Sequence, residues 1–389
     1  MKNISKLSLI KTLALSSLMA SSLLCSGLAN AADTVKIYGL VELSGTGTTS
    51  GTNFNNGVKL AFKEINASGG ILGRKVEYIA EDTQSNPGVA KGLAQKAVDE
   101  GSYIVIGPVF SGSILVSMAE TKRAEIANFT GGEAASITQQ GNPYIFRTSF
   151  TQSTAMPKVA SYIAENLKSK IVDIIYTNND FGKGGRDLAV KVFEAKGIKI
   201  GADISTDAGQ VDFSSAVLKA RQSGSDALFV YTNEEEAARL LKELQKQGYT
   251  KPIVGETVLT SQKVIELAGD AANGAIAHVG LTADAPTANV KKFDLAFQKE
   301  YQTRTDHNGL KGYSAAYIVK AVTEKIGKFD SKAFAQAMHG ISLSSKQYPG
   351  ILLDVSFDAN GDLDRESYMT KVVNGKQVVI ETLPSVNKK

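Results

Sequence analysis

VKIYGLVELSGTGTTSGTNFNNGVKLAFKEINASGGILGRKVEYIA, residues 35–80, reads as strand, helix and strand in that order. Val35–Val41 is a short apolar run of the kind buried in a sheet. After a Gly/Thr/Ser loop, Phe54, Val58, Ala61, Phe62 and Ile65 recur at i, i+4, i+7, i+8 and i+11, which puts them on one face of a helix. Gly69-Gly70 stops that helix, and Val76–Ala80 is the next apolar run. The same rhythm continues with a helix over Val89–Val98, a strand at Tyr103–Ile106, a helix near Ser113–Arg123 and a strand at Ile126–Phe129. It restarts with a strand at Ile171–Tyr176, a helix at about 185–195, a strand near 198–204 and a helix at 214–223. Strand Ala227–Tyr231, helix 235–247 and strand 252–255 complete this second series. Alternation of this kind predicts α/β architecture: parallel sheets covered on both faces by helices. Two such series predict two doubly wound lobes.

The N-terminus has a different character. Lys2, Lys6 and Lys11 precede the apolar run that begins at Leu13, and Ala29-Asn30-Ala31 follows as a small-x-small cleavage pattern. That is the pattern of a secretory signal peptide over residues 1–31, so the mature chain is expected to begin at Ala32 in the periplasm. The apolar run is too short for a permanent membrane anchor. The single cysteine, Cys25, lies within it, preceded by Leu24 where a lipoprotein signal carries a small residue. Removal of 31 residues leaves 358 without cysteine, an exported chain that must rely on its apolar core. Loss of three lysines takes the formal net charge from +4 to +1, which gives no support to nucleic-acid binding or to membrane-surface attraction. With His278, His307 and His339 as its histidines, the mature chain is a poor candidate for a transition-metal site, and no cofactor is expected.

The chain continues past the second series. Helical patterns appear at about 287–303 and 313–326, and Asn360-Gly361 within SFDANGDL is a hairpin-turn signal. A late section of this size suggests that the chain returns to finish the first lobe.

Ligands of open parallel sheets bind beyond the carboxyl ends of the strands. The loop after the 103–107 strand, Pro108-Val-Phe-Ser-Gly-Ser113, leads into a helix. Ser111 and Ser113 offer hydroxyls, Gly112 permits close backbone approach, and a helix start presents unpaired amides with a favourable dipole, a combination suited to a carboxylate. The competing reading is that Ser111 or Ser113 simply caps the helix. Ser44–Gly51 superficially resembles a dinucleotide loop, but its spacing is G-x-G-x-x-x-G and no acidic residue lies about 20 positions downstream at a strand end. No G-x-S-x-G, H-E-x-x-H or P-loop motif is present, so no enzymatic activity is expected.

Several fragments, taken in order, resemble the leucine/isoleucine/valine-binding protein family, the type I periplasmic solute-binding proteins of ABC importers. They are NNGVKLAFKEINASGGILGRKVEYIAEDTQSNP at 55–87, YIVIGPVFSGS at 103–113, NDFGKG at 179–184, DFSSAVLKARQSGSDALFVYT at 212–232, GETVLTSQKVIELAG at 255–269 and FDANGDL at 357–363. The resemblance implies two lobes joined by three crossovers, with an N-lobe of 32–151 plus 281–355 and a C-lobe of 152–280 plus 356–389. It implies a small-molecule ligand, held by hinge closure and most simply a carboxylate such as an amino acid. The implied partner is a membrane permease, and the protein is expected to act as a monomer. The same fold also serves to present ligands to sensory receptors, and a non-amino acid or an amide is an alternative ligand.

The resemblance also implies site residues. Ser111 matches the carboxylate-binding Ser, and Gly132 the backbone contact. Ala134, or Glu133 with a one-residue gap, falls where the family has a Thr; Glu133 reads either as a solvated loop acid or as a ligand contact. Phe181 and Asn233 replace two Tyr positions, and Ser50 a third. Glu234–Glu236 read as the acidic first turn of a helix. The family's ammonium-binding Glu aligns with Thr257, or with Glu256 if the loop shifts by one.

Overall fold

The computed structural model describes residues 34–385; the signal segment and its cleavage site lie outside them. The chain runs β1 (Val35–Val41), α1 (Thr48–Ala67), β2 (Val76–Asp82), α2 (Pro87–Asp99), β3 (Ile104–Ile106), α3 (Ser111–Arg123), β4 (Asn128–Thr130) and β5 (Ile145–Arg147). These five strands form one parallel sheet in the order β2-β1-β3-β4-β5. It then continues through α4 (Gln152–Ser161), β6 (Ile171–Thr177), α5 (Asp180–Ala195), β7 (Lys199–Thr206), α6 (Ser214–Gln222), β8 (Ala227–Tyr231), α7 (Glu234–Lys246), β9 (Ile253–Glu256), α8 (Gln262–Ala268) and β10 (Ile276–Val279). The rest is α9 (Ala288–Tyr301), α10 (His307–Ile326), α11 (Ser331–Met338), β11 (Ser342–Leu343), β12 (Val355–Phe357), β13 (Leu363–Asp364), β14 (Ser367–Val373) and β15 (Lys376–Leu383).

The second sheet has the order β15-β14-β10-β9-β8-β6-β7. It is mixed rather than wholly parallel, because β14 runs antiparallel to β10 and β15 antiparallel to β14. The second pairing follows from Asn374-Gly375, both at positive φ (50° and 70°), which turns the chain back between Val373 and Lys376; β14 itself enters beside β10 on the chain's return from β13. The Asn360-Gly361 signal also proves to be a hairpin, joining β12 to β13 within a three-stranded sheet with β11. The chain therefore passes between the sheets three times: after β5, after β10 and after β13. The 355/356 boundary implied by the resemblance falls inside β12, and the second sheet is rejoined at Ser367.

The late helices complete the first lobe. Helix α10 packs along α1, and the helices approach so closely that a Cβ on Gly57 would lie 2.0 Å from the Gly309 carbonyl oxygen. The face of α1 expected from the 3.6-residue period is the one that is buried: Phe54, Val58, Ala61, Phe62 and Ile65 all lie in the main apolar core. Each such large side chain contributes about 1.5–3 kcal/mol by leaving water. Tight packing here brings the N-terminal ends of α1 and α10 to the same side as the carboxyl ends of β3 and β4.

Candidate ligand-binding site

A cavity of about 200 Å³ lies between the two lobes, where the carboxyl ends of the parallel strands meet helix N-termini. The first lobe lines it with Thr46 and Ser50 before and within α1, Val109 to Ser113 at the start of α3, Gly131 to Glu133 after β4, and His307, Asn308 and Lys311 on α10. The second lobe contributes Asn179 to Phe181 at the start of α5, Asn233 and Glu234 at the start of α7, and Val258 after β9. An apolar cavity of about 150 Å³ is enough for benzene, so this volume suits a ligand the size of an amino acid or a simple ring acid.

Helix α3 supplies the anion-attracting end. Just ahead of it, the amides of Val109 and Phe110 donate to the buried Glu42 carboxyl at 3.1 and 3.0 Å, which locks the loop in place. Burial pushes Glu42 up to about 7, against the lowering effect of those two amides. Ser111, Gly112 and Ser113 are the first three helical residues, whose amides have no partner within a helix. The Ser111 hydroxyl accepts from the Ala134 amide at 3.3 Å. Ser113 is 1% exposed, and its Oγ has no hydrogen-bond partner among the described residues. Neither serine caps the helix: its N-cap is Phe110, without a side-chain cap.

Gly132 sits in a tight spot: a Cβ there would fall 2.4 Å from Ile114 Cδ1, which would have to move aside. Its carbonyl accepts from Arg147 Nη1 (3.0 Å) and from the Ser149 hydroxyl (2.7 Å). Ala134 does not line the cavity. It packs with Ile114, Met118, Ile137 and Ile145 behind the loop, so its role is structural. Glu133, the loop's acid, is not solvated: it is 7% exposed and sits at the centre of an interlobe network. Lys311 Nζ donates to its Oε1 at 3.1 Å, and the Tyr231 hydroxyl from the second lobe donates to its Oε2 at 3.2 Å. Burial, followed by the nearby Glu256 charge, pushes Glu133 up to about 7, while Lys311 opposes the shift.

Phe181 lies on the cavity wall with its ring stacked on Tyr231 at 4.2 Å. Gln152 fixes the pair, its Nε2 donating both to the Phe181 carbonyl (2.8 Å) and to the Tyr231 hydroxyl (3.1 Å). Asn233 heads α7 and lines the cavity, as does Ser50 in the first turn of α1. Glu234, Glu235 and Glu236 do form the first turn of α7, but Glu234 and Glu236 are buried rather than solvated.

Glu256 and Thr257 both lie behind the cavity wall, and Val258 is the residue of that loop that reaches it. The Thr257 hydroxyl donates to Glu256 Oε1 at 2.7 Å, and His278 Nδ1 lies 3.1 Å from the same oxygen. Strand register explains the pairing, since His278 of β10 stands directly beside Glu256 of β9. Burial lowers His278 to about 3, so its imidazole is neutral at physiological pH. Sequence reasoning missed Lys311, His307, Asn308 and Tyr231. The signal for three of them was the cap at Asp306, whose carboxylate accepts from the Asn308 and Gly309 amides and starts α10 six residues earlier than the apolar pattern suggests.

Residues 34–377 match the periplasmic binding protein family. The chain belongs to that family. A curated relative from Pseudomonas aeruginosa, the leucine-, isoleucine-, valine-, threonine- and alanine-binding protein, is 26% identical and covers 86% of this chain and 88% of its own length. The Leu/Ile/Val-binding protein BraC3 of Rhizobium johnstonii is 27% identical over 94% of this chain and 99% of the relative. Among solved structures, the branched-chain amino-acid transporter substrate-binding protein of Streptococcus pneumoniae in complex with isoleucine is 25% identical. It covers 90% of this chain and 100% of its own, with a TM-score of 0.81. A Rhodopseudomonas palustris solute-binding protein in complex with 3,4-dihydroxybenzoic acid shares the fold at TM-score 0.84, with 23% identity over 91% of this chain and 98% of its own. This periplasmic binding protein is thus of the ABC-transporter type, homologous to branched-chain amino-acid binders. It is a solute-binding protein and not an enzyme.

Proposed function

We propose that this chain is the periplasmic substrate-binding component of an ABC importer, that it takes a small carboxylate between its lobes by hinge closure, and that it acts as a monomer delivering that ligand to a membrane permease. The observation that carries the reading is the start of α3: it faces the cavity, and the Ser113 hydroxyl there is buried without a protein partner. Burying a polar group costs free energy unless it is hydrogen-bonded, and a carboxylate would satisfy it together with the helix amides. Gly132 and Ser111 flank the same spot. Phe181, stacked on Tyr231, closes it from the second lobe, and ligand shifts the open–closed balance by its preference for the closed form. The binding preferences of the amino-acid-binding relatives and of the structure holding an aromatic acid both belong to carboxylates, in keeping with this assignment.

A direct test is calorimetry on the ligand-stripped protein with a panel of α-amino acids, aliphatic acids and aromatic acids. Once a carboxylate has been found, Ser113→Ala is expected to raise its Kd about 10- to 100-fold, because a hydrogen bond to a charged group contributes about 1.5–3 kcal/mol. The melting temperature of the ligand-free variant should stay close to that of the wild type, because Ser113 Oγ has no protein partner to lose. An unchanged Kd would remove α3 from the site.

A further inference from the structure

The cavity also has an acidic side, and it is not where the resemblance pointed. Glu133 has both carboxylate oxygens engaged by the protein, one by Lys311 and one by Tyr231. Glu256 stands behind the wall against Thr257 and His278. Glu234 is different. It lines the cavity at 3% exposure, and the hydrogen bond drawn to it from α10 is the neutral Asn308 amide, donating to Oε1 at 3.1 Å.

The charges around Glu234 leave it uncompensated. Burial, and after it the charges of Asp306 at the cap of α10 and of Glu235, push Glu234 up to about 7, against the hydrogen bond from the Ser50 hydroxyl. The nearest ionisable nitrogen is His307 Nε2 at 3.9 Å. Burial and the Lys311 charge depress His307 well below its ordinary range, so it stands there as a neutral ring. The other ring nitrogen, Nδ1, is buried without a hydrogen-bond partner among the described residues. Lys311 is committed to Glu133. A carboxylate enclosed without a cation, beside an unsatisfied imidazole nitrogen on the same cavity wall, is costly unless something that enters the cavity completes it.

We infer that Glu234, with His307 and Asn308 beside it, is the subsite for an ammonium group on the ligand, and that the ligand is therefore an amino acid rather than a simple organic acid. This rests on the carboxylate reading of the α3 end. The ligand would lie with its carboxylate at Ser111 and Ser113 and its ammonium against Glu234, and Phe181, Val109 and Val258 would enclose its apolar part. The acid at the end of β9 becomes a wall residue and leaves specificity to the start of α7.

Isothermal titration of the full mature chain with matched probes tests the inference: L-leucine against 4-methylpentanoate, and L-phenylalanine against 3-phenylpropanoate. The wild type is expected to prefer the amino member of a pair at least tenfold. Glu234→Gln keeps the shape and an acceptor for Asn308, and should reduce that preference to about twofold or less, while Glu256→Gln should leave it intact. If Glu234→Gln does not fold, Glu234→Asp provides the same comparison through a shortened carboxylate, with an expected partial loss of preference. Tight wild-type binding of the acids without the amine would overturn the Glu234 assignment and leave the carboxylate reading standing. So would a preference that survives Glu234→Gln. Binding of none of the four probes, nor of any other carboxylate, would overturn both.

Discussion

Arg147→Met is expected to lower the stability of the ligand-free protein by about 3–5 kcal/mol, the cost typical of removing one partner from a buried ion pair. Arg147 ends β5 and is completely buried. Its guanidinium lies 2.5 Å from Asp362 Oδ1 and donates to the Gly132 carbonyl, to the Ala134 carbonyl and, at 2.6 Å, to the Thr138 hydroxyl. The Thr138 hydroxyl donates to the same Asp362 oxygen. One side chain thus gathers the binding loop 131–138 and anchors it to the turn between β12 and β13. Methionine would fill much of the volume and satisfy none of these acceptors. Arg147→Lys keeps the charge and loses the planar fork, so an intermediate loss is expected. Urea denaturation measures the effect, and ligand titration of the folded fraction should show weaker binding as the loop loosens. A loss below about 1 kcal/mol would mean that the loop is held by its own packing.

The second large effect concerns Lys311→Met and depends on pH. Lys311 offsets the charge of Glu133, which is enclosed by Tyr231 and faces Glu256. A carboxyl raised from 4.5 to about 7 in the folded state contributes stability that is fully present below the unfolded value and is lost as pH rises through the folded one. Removing Lys311 takes away an influence that lowers Glu133, so the folded value moves higher and the loss deepens on the alkaline side. The variant should therefore be close to wild type at pH 5 and about 3 kcal/mol less stable at pH 8, where Glu133 would have to be buried as an unpaired anion. Adding Glu133→Gln to Lys311→Met removes the charge and should restore most of the loss at pH 8. A deficit of the same size at both pH values would point to lost packing by the lysine stem instead of to charge. The double-variant cycle separates the two.

How much of this was legible beforehand varies with the kind of signal. Val35–Val41 and Ala227–Tyr231 were read with the bounds they have, because a short apolar run between loops leaves few alternatives. The β14–β15 hairpin was missed although Asn374-Gly375 sits between VV and KQVV, as strong a turn signal as Asn360-Gly361. Helix α10 was begun too late at 313 because it is buried on nearly every side. Such a helix has no polar face against which periodicity can stand out. Lys311 was lost with that missing turn.

That Ser111 and Ser113 line the cavity could be expected because strand, loop and helix start are adjacent in sequence, and the chemistry of a helix N-terminus is local. Glu133, Glu234 and Glu256 could not be sorted in that way. Each lies beside a strand end or helix start; Glu133 and Glu256 were open to more than one role, and Glu234 was read only as part of a helix's acidic first turn. Which one faces the cavity, which carries a lysine partner and which backs onto a histidine is decided by contacts that join loop to distant helix, β9 to β10, or one lobe to the other.

The opening stretch, residues 35–80, determined one strand–helix–strand unit by itself, because strand and helix periodicities are properties of neighbouring residues and the hydrophobic effect acts on them wherever the chain goes. The order of motifs along the rest of the chain was sufficient for the family. The tertiary structure alone decided the charge map of the site. Whether a carboxyl is solvated, paired or left waiting depends on the residues that enclose it, and those come from other elements of the fold: Lys311 reaches Glu133 across 178 residues, Asn308 reaches Glu234 across 74 and His278 meets Glu256 across 22.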